Sequence, residues 1–292
     1  MSTPHFAGEI ALLAPAKINL ILEVVGRRPD GYHDIDSIFL PVDLCDEVRV
    51  AVARGAGPGI EISCDDPAVP TDSRNTAWRA AEELYRRCGA IPRVRIDLRK
   101  RIPSGAGLGG GSSDAAAVLR ALARLEGIAE RSGEVLAAAG AVGADVSFFL
   151  WCRPSRVRGA GEIIDPLPAF PSRRLAIAWP GFAVSTRSAY AELDRSLTSP
   201  KAADTMQRFL SGELNLREIH NDFEAIVGRS HPQIAELKTR FLSLGAEGAG
   251  LSGSGSAVFG IFRSRAEAEA AAGSIREQGF WAVSASTLNG MP

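Results

Sequence analysis

Lysine is scarce in this chain. It occurs only at positions 17, 100, 201 and 238, although Lys and Arg together number 33 of 292 residues. A lysine inside an apolar segment therefore stands out. Cysteine is scarce as well: Cys45, Cys64, Cys88 and Cys152 are scattered, with no CxxC pair. That excludes a disulfide framework or a zinc site and suits reduced thiols. There is no excess charge of one sign. The formal net charge is −1, so bulk electrostatics do not point to nucleic acid. No apolar run approaches the roughly 18–20 residues that span a bilayer. Met1-Ser2-Thr3-Pro4-His5 lacks the basic and apolar regions of a signal peptide. The expectation is a soluble cytoplasmic protein, a monomer or weak homodimer, with no nucleic-acid or membrane partner. Its length allows two domains with real cores.

Glycine is plentiful, and one stretch concentrates it: Pro103-Ser104-Gly105-Ala106-Gly107-Leu108-Gly109-Gly110-Gly111-Ser112-Ser113-Asp114. Before it, Arg93 to Leu98 alternates apolar and charged residues, as a half-buried strand does. After it, Ala115, Val118, Leu119, Leu122 and Leu125 fall on one helix face. The stretch thus leads a row of backbone N–H groups to a helix N-terminus. Those groups lack intrahelical partners, and the helix dipole adds partial positive charge. That is the physics of a phosphate cradle. The plainer alternative is a structural turn. A Walker P-loop is excluded, because no lysine lies in or directly after the stretch. Gly105, Gly107 and Gly110 match GxGxxG, but the acidic residue at the proper distance, Glu126, ends a helical stretch rather than a strand. A Rossmann pairing does not follow.

Elsewhere, strands are expected at 9–14 and 17–26 (broken at Pro15), 35–44, 47–53 and 59–63, with a turn at Asp30-Gly31-Tyr32-His33. Helices are expected at 75–88, 112–126 and 132–141. Pro166, Pro168 and Pro171 mark a boundary. Beyond it, strands are expected at 174–179, 256–262 and 280–287, and helices near 187–196, 201–211, 217–228, 232–244 and 264–278. Early strands followed by helices suggest α+β. A second glycine-rich stretch, Gly248 to Ser256, precedes a strand. It serves either close backbone packing or a ligand.

Three groups of residues could carry chemistry. On a strand, Lys17 and Asn19 share one face, opposite Ala16, Ile18 and Leu20. The alternative for Lys17 is a solvent-facing edge lysine. Asp145 precedes Val146, Phe148 and Phe149. A carboxylate there either caps a helix or handles a hydroxyl proton. Tyr32 and His33 follow a glycine turn, are expected to be exposed, and could together hold a nucleobase.

Together these motifs resemble the GHMP kinases, through Pro15-Ala16-Lys17, Pro103 to Ser113, and Gly248 to Ser256. The similarity is strongest to a branch acting on a cytidyl-diphospho substrate. It is carried by Ala14 to Leu20, Arg28 to His33, Gly109 to Ala116, Gly143 to Val146, Gly159 to Glu162, Pro180-Gly181 with Val184 to Thr186, and Asn221 to Glu224. The resemblance implies ATP-dependent phosphorylation of the substrate's 2-hydroxyl, a step of non-mevalonate isoprenoid precursor synthesis. It implies an α+β fold of two domains. The first, 1–165, is related to a ribosomal-protein fold; the second, 166–292, is ferredoxin-like; the site lies between them. Asp145 is implied as base and Lys17 as its charge partner. Pro103, Ser104, Gly105, Ala106, Gly107, Leu108, Gly109, Gly110, Gly111, Ser112 and Ser113 would wrap the ATP phosphates, with Asn75 near the adenine. Asn19, Tyr32, His33, Phe39, Thr186 and Tyr190 would bind the substrate, the cytosine lying between Tyr32 and Tyr190. ATP and Mg²⁺ are the implied cofactors, the metal held mostly by phosphates and water. Two departures stand out: Ser147 replaces an expected proline near Asp145, and Tyr190 replaces a different aromatic.

Overall fold

The computed structural model describes residues 8–53, 59–89, 93–167, 170–196, 204–213 and 215–292. The start Met1 to His5, Pro168 and positions 201–203 of an expected helix lie outside the described residues.

Two sheets organise the chain. The first contains β1 (Gly8–Arg27), β2 (His33–Ala53), β3 (Gly59–Cys64), β4 (Arg93–Arg99), β5 (Ser155–Gly159) and β6 (Ile163–Pro166). The long β2 is its spine. One edge of β2 pairs with β1 along its length; the other pairs with β4 over Glu47–Ala53 and with β5 over Ile35–Phe39. Helices α1 (Thr76–Cys88), α2 (Gly110–Glu126), α3 (Gly133–Val142) and α4 (Ala144–Trp151) accompany it. The second sheet is antiparallel, in the order β10-β7-β9-β8, from β7 (Arg174–Trp179), β8 (Gly248–Leu251), β9 (Val258–Phe262) and β10 (Trp281–Ser286). Its helices are α5 (Thr186–Ser196), α6 (Asp204–Leu210), α7 (Glu224–Ser230), α8 (Pro232–Ser243) and α9 (Arg265–Arg276).

Both faces of β1 are used. Ile18 and Leu20 join Ile177, Phe259 and Ile261 of the second sheet in one core. Ala14 and Leu22 belong to the other core, with Val118, Leu119 and Leu122 of α2. Each such side chain withdrawn from water contributes about 1.5–3 kcal/mol. The sheets are also tied by backbone. Leu22 N–H donates to His220 O at 2.9 Å, Asp222 N–H to Leu22 O at 3.0 Å, and Leu288 N–H to Pro41 O at 2.8 Å.

Several elements differ from the sequence pattern. Pro15 does not break β1. It sits at a register shift in a strand whose partner strand at Pro15 is β2, with no second ladder there among the described residues for a missing N–H to break. The runs 35–44 and 47–53 are one strand, continuous because β4 and β5 share its other edge. Residues 144–151 form helix α4, with Asp145 in its first turn and Ser147 within it. The β5–β6 hairpin is not among the expected strands: β5 alternates in burial, but only Val157 among its buried residues is a large apolar side chain. The expected helix 217–228 divides into a 3-10 turn, Leu216–Glu218, and α7, with Asn221 between them. The first residues of the second glycine stretch form β8.

Candidate active site

The glycine loop joins β4 to α2. Gly105, Gly107 and Gly109 all have positive φ, at +70°, +80° and +73°. Glycine is required most sharply at 107, where a Cβ would lie 2.2 Å from Ser252 O. Gly109 is the N-cap of α2 and offers no side-chain cap, leaving the first-turn N–H groups free for an anion. A cavity of about 350 Å³ lies under the loop. Residues 103 to 112 line it, together with Asn75, Lys100 and Asp114. Ser113 does not line it; its buried Oγ has no hydrogen-bond partner. Asn75 caps α1: its Oδ1 accepts from Ala77 N–H at 2.8 Å and its Nδ2 donates to Pro70 O at 2.7 Å. Both polar ends of Asn75 thus shape the wall that the cavity needs.

A second cavity, of about 250 Å³, shares Gly107 and Gly109 with the first. Lys17, Asn19, Phe39, Asp145, Thr186 and Tyr190 all line it. Lys17 is only 4% exposed, so it is no solvent-facing edge lysine. Its Nζ donates to Asn19 Oδ1 at 2.6 Å, lies 4.0 Å from Asp145 Oδ2 and stands 4.8 Å over the Phe39 ring. Burial pulls the Lys17 ammonium below its ordinary value, and the charge of Asp145 opposes that. Asp145 is not the cap of α4. The N-cap is Gly143, and Asp145 stands in the first turn with its side chain one-third exposed to the cavity (33%). Asn19 is fully engaged: Oδ1 also accepts from Gly253 N–H at 2.8 Å, and Nδ2 donates to Ser37 Oγ at 2.9 Å. It holds Lys17 in place as well as lining the site.

The expected base pocket is assembled differently from its sequence pattern. Tyr32 is exposed, at 66%, but His33 is buried. His33 opens β2, pairs with Arg27, and turns its ring to α5. There it stacks on Tyr190, with centroids 4.5 Å apart, and its Nε2 meets Asp194 Oδ1 at 2.6 Å. Arg27 also approaches Asp194, at 3.4 Å. Tyr190 packs edge-on against Phe223, and burial pushes its hydroxyl up to about 12, with Asp145 adding to the effect. Thr186 Oγ1 and Ser254 Oγ are 3.0 Å apart. Tyr32 and His33 do not themselves line the second cavity; Tyr190 connects His33 to it, whereas Tyr32 stands exposed beside Asp30.

Several further residues contribute that the sequence pattern does not assign to the site, although Asn221 and Ser252 lie in motifs noted above. Asp194 holds His33. Asn221 Nδ2 donates to Leu251 O and Gly253 O, both at 2.8 Å, bracing the second glycine stretch. Ser252 Oγ donates to Gly107 O at 2.9 Å, and Ala257 N–H to Ala106 O at 2.9 Å. The second stretch therefore both packs closely on the first and, through Gly253 and Ser254, lines the cavity. Lys100 places an ammonium under the loop, where Asp46 and Asp114 hold it.

Residues 75–153 match the model of the GHMP kinases N terminal domain, and residues 203–280 match that of the GHMP kinases C terminal. A protein of Citrifermentans bemidjiense named 4-diphosphocytidyl-2-C-methyl-D-erythritol kinase is 39% identical over 282 residues, 96% of this chain and 99% of its own length. One of Solidesulfovibrio magneticus with the same name is 42% identical over 268 residues, 88% and 90% of the two lengths. The chain belongs to the GHMP kinase family, in the 4-diphosphocytidyl-2-C-methyl-D-erythritol kinase branch. A crystal structure of 4-(cytidine 5'-diphospho)-2C-methyl-D-erythritol kinase agrees: it superposes with a TM-score of 0.80 at 36% identity, covering 96% of this chain and 100% of that one. Homoserine kinase from Cytophaga hutchinsonii, with a TM-score of 0.69 at 21% identity over 100% and 98% of the chains, shares the fold. The two sheets with their helices are thus the two-domain α+β GHMP kinase fold. Among the described residues, no helix of this kinase is long and apolar enough to cross a membrane.

Proposed function

We propose that this kinase transfers the γ-phosphoryl group of ATP to the 2-hydroxyl of 4-diphosphocytidyl-2-C-methyl-D-erythritol, a step of non-mevalonate isoprenoid precursor synthesis. The observation that carries the reading is the wall shared by the two cavities. Gly107 and Gly109 border both the loop cavity and the cavity of Lys17 and Asp145, so a phosphate under the loop faces a hydroxyl beside the carboxylate. In-line transfer needs that juxtaposition and little else from the protein.

In this reading the nucleotide occupies the cavity of residues 103–112, its adenine toward Asn75. The loop N–H groups stabilise charge on the moving phosphoryl group. Asp145 accepts the proton of the 2-hydroxyl as its oxygen bonds to the γ-phosphorus. The bond from that phosphorus to the β,γ-bridging oxygen breaks, and ADP leaves. Lys17 keeps the carboxylate ionised and lowers the hydroxyl's pKa. Asn19 and Thr186 border the reacting end, with Phe39 under the Lys17 ammonium. His33, Tyr32 and Tyr190 receive the cytosine; stacking of His33 on Tyr190 supports a site for a flat ring. With divisions at 1–165 and 166–292, the second cavity draws walls from both halves, and the nucleotide cavity lies in the first.

No cluster of three His, Cys, Asp or Glu side chains suited to a metal occurs among the described residues. The loop N–H groups would hold the nucleotide's phosphates, and a Mg²⁺ ion would be carried by those phosphates and water rather than by the loop. When bound, that ion neutralises phosphate charge.

The test is an ADP-release assay with a panel of acceptors. Turnover of the cytidyl-diphospho substrate far above that of mevalonate or homoserine is expected. The reverse preference would overturn the assignment.

A further inference from the structure

The base of the glycine loop holds a buried charge cluster that the transfer step does not use. Lys100 Nζ donates to Asp46 Oδ2 at 2.5 Å and to Asp114 Oδ2 at 2.6 Å, and all three side chains are nearly inaccessible. Asp46, on β2, is well satisfied. Its Oδ1 accepts the N–H groups of Arg101 at 2.5 Å and Ile102 at 2.9 Å, pinning the chain as it enters the loop. Asp114, in the first turns of α2 where the chain leaves the loop, is not. Its Oδ1 is buried without a hydrogen-bond partner. One ammonium thus faces two carboxylates, a formal excess of one negative charge. Lys100 and Asp114 also line the nucleotide cavity.

We propose that Asp114 takes up a proton from solvent as the nucleotide's phosphates enter this cavity, so that nucleotide binding and protonation are linked. The proposal rests on the nucleotide reading above. An anion brought beside a cluster that is already net negative raises the cost of the second carboxylate, and a half-satisfied buried carboxylate is the cheapest to neutralise. Asp46 and Asp114 meet on one Lys100 ammonium, so the neutral acid would have the Asp46 carboxylate beside it as a hydrogen-bond acceptor. The free protein is already poised for this: burial, with Asp46 adding and Lys100 opposing, pushes the Asp114 carboxyl up to about 7.

Of the other charged groups nearby, Asp65 accepts the Lys100 backbone N–H at 2.8 Å, Asp66 lies 3.5 Å from Ser104 Oγ, and the Arg101 side chain is exposed. Arg74, across the cavity, is engaged by Asp72 at 2.8 Å, and Lys17, beyond Gly109, is held by Asn19 at 2.6 Å. The buried positions of α1 and α4 are otherwise Ala77, Ala80, Ala81, Leu84 and Tyr85, and Val146, Phe148, Phe149 and Leu150.

The experiment is calorimetry of a non-hydrolysable ATP analogue with Mg²⁺, in buffers of different ionisation enthalpy, on the wild-type protein and Asp114→Asn. Wild type is expected to take up a substantial fraction of one proton near neutral pH. Its affinity for the analogue then falls as pH rises through neutrality, by at most about tenfold per pH unit for one proton. Asp114→Asn, a neutral isostere, is expected to bind with that uptake abolished and a flat pH profile. A nucleotide-induced carboxylic-acid C=O band in the infrared difference spectrum of wild type checks the same event without a variant. Equal proton counts in the two proteins, or no such band, would overturn the proposal while leaving the nucleotide reading intact. Loss of Mg²⁺ dependence in Asp114→Asn with an unchanged proton count would overturn it by making Asp114 a cation ligand. Failure of the analogue to bind wild type at all would remove the nucleotide reading, and the proposal with it.

Discussion

Lys17 Nζ stands 4.0 Å from Asp145 Oδ2, too far for a hydrogen bond and close enough for a strong charge interaction. The ammonium spends its hydrogen bond on Asn19 instead. Asp145 therefore feels a positive charge while keeping its oxygens free for a substrate hydroxyl. Replacing Asp145 by Asn keeps shape and removes basicity. Nucleotide affinity should persist while kcat falls by about 10²–10⁴-fold. Near-normal kcat in single-turnover assays would remove Asp145 from the role of base.

The buried ammonium sets a pH dependence of definite sign. Burial lowers the Lys17 pKa, so its charge is lost as pH rises through a value below the usual 10.5. The kcat profile should show a basic limb earlier than an ordinary lysine would produce, and Lys17→Met should lose that limb along with most activity. Between the lowered native value and the unfolded one, the unfolded chain holds the extra proton. Stability attributable to Lys17 therefore rises with pH across that window. A wild-type profile that stays flat up to the ordinary lysine range would contradict this.

His33 and Asp194 should act together on the cytidyl substrate. Their 2.6 Å contact orients the ring that Tyr190 stacks upon. Loss of a hydrogen bond involving a charged group costs about 1.5–3 kcal/mol, about ten- to a hundredfold in affinity. His33→Ala and Asp194→Ala should each raise KM for the cytidyl substrate by that order, with much smaller effects on KM for ATP. Equal effects on the two KM values would place the pair outside the base site.

Gly107 tests the coupling of the two glycine stretches. Its φ of +80° is unfavourable for other residues, and a Cβ would meet backbone oxygens of Ser252 and Gly255 at 2.2 and 2.9 Å. Those neighbours are main chain and cannot swing aside. Gly107→Ala should cost at least about 1–3 kcal/mol of stability and raise KM for ATP. Calorimetric unfolding with steady-state kinetics checks both; an unchanged Tm would mean that the loop is looser than its contacts indicate.

Much of the site was legible in sequence because its chemistry depends on local pattern. Glycines at 105, 107 and 109 between a strand and a helix allow the positive φ angles by which the chain turns into α2. Lys17 and Asn19 share a face because strands alternate. Asp145 stood out as a carboxylate among apolar residues, although its helix was hidden by the short span of α4. Pro15 misled because its cost depends on which edge of β1 is paired, and that is not a local property.

The sequence by itself thus determined the local pattern: a glycine-rich turn that opens a helix, a lysine and an amide on one strand face, a carboxylate among apolar residues and a Tyr-His dipeptide, in an order that resembles one family of kinases. Only the tertiary structure decided what faces what. Asp194 reaches His33, Asn221 braces Gly253, Ser252 closes on Gly107, and Lys100 is caught between Asp46 and Asp114. Each is a contact between side chains or loops that alternation and helical periodicity cannot relate. They exist because two cores, on opposite faces of β1, bring distant segments together and exclude the water that would otherwise satisfy those polar groups.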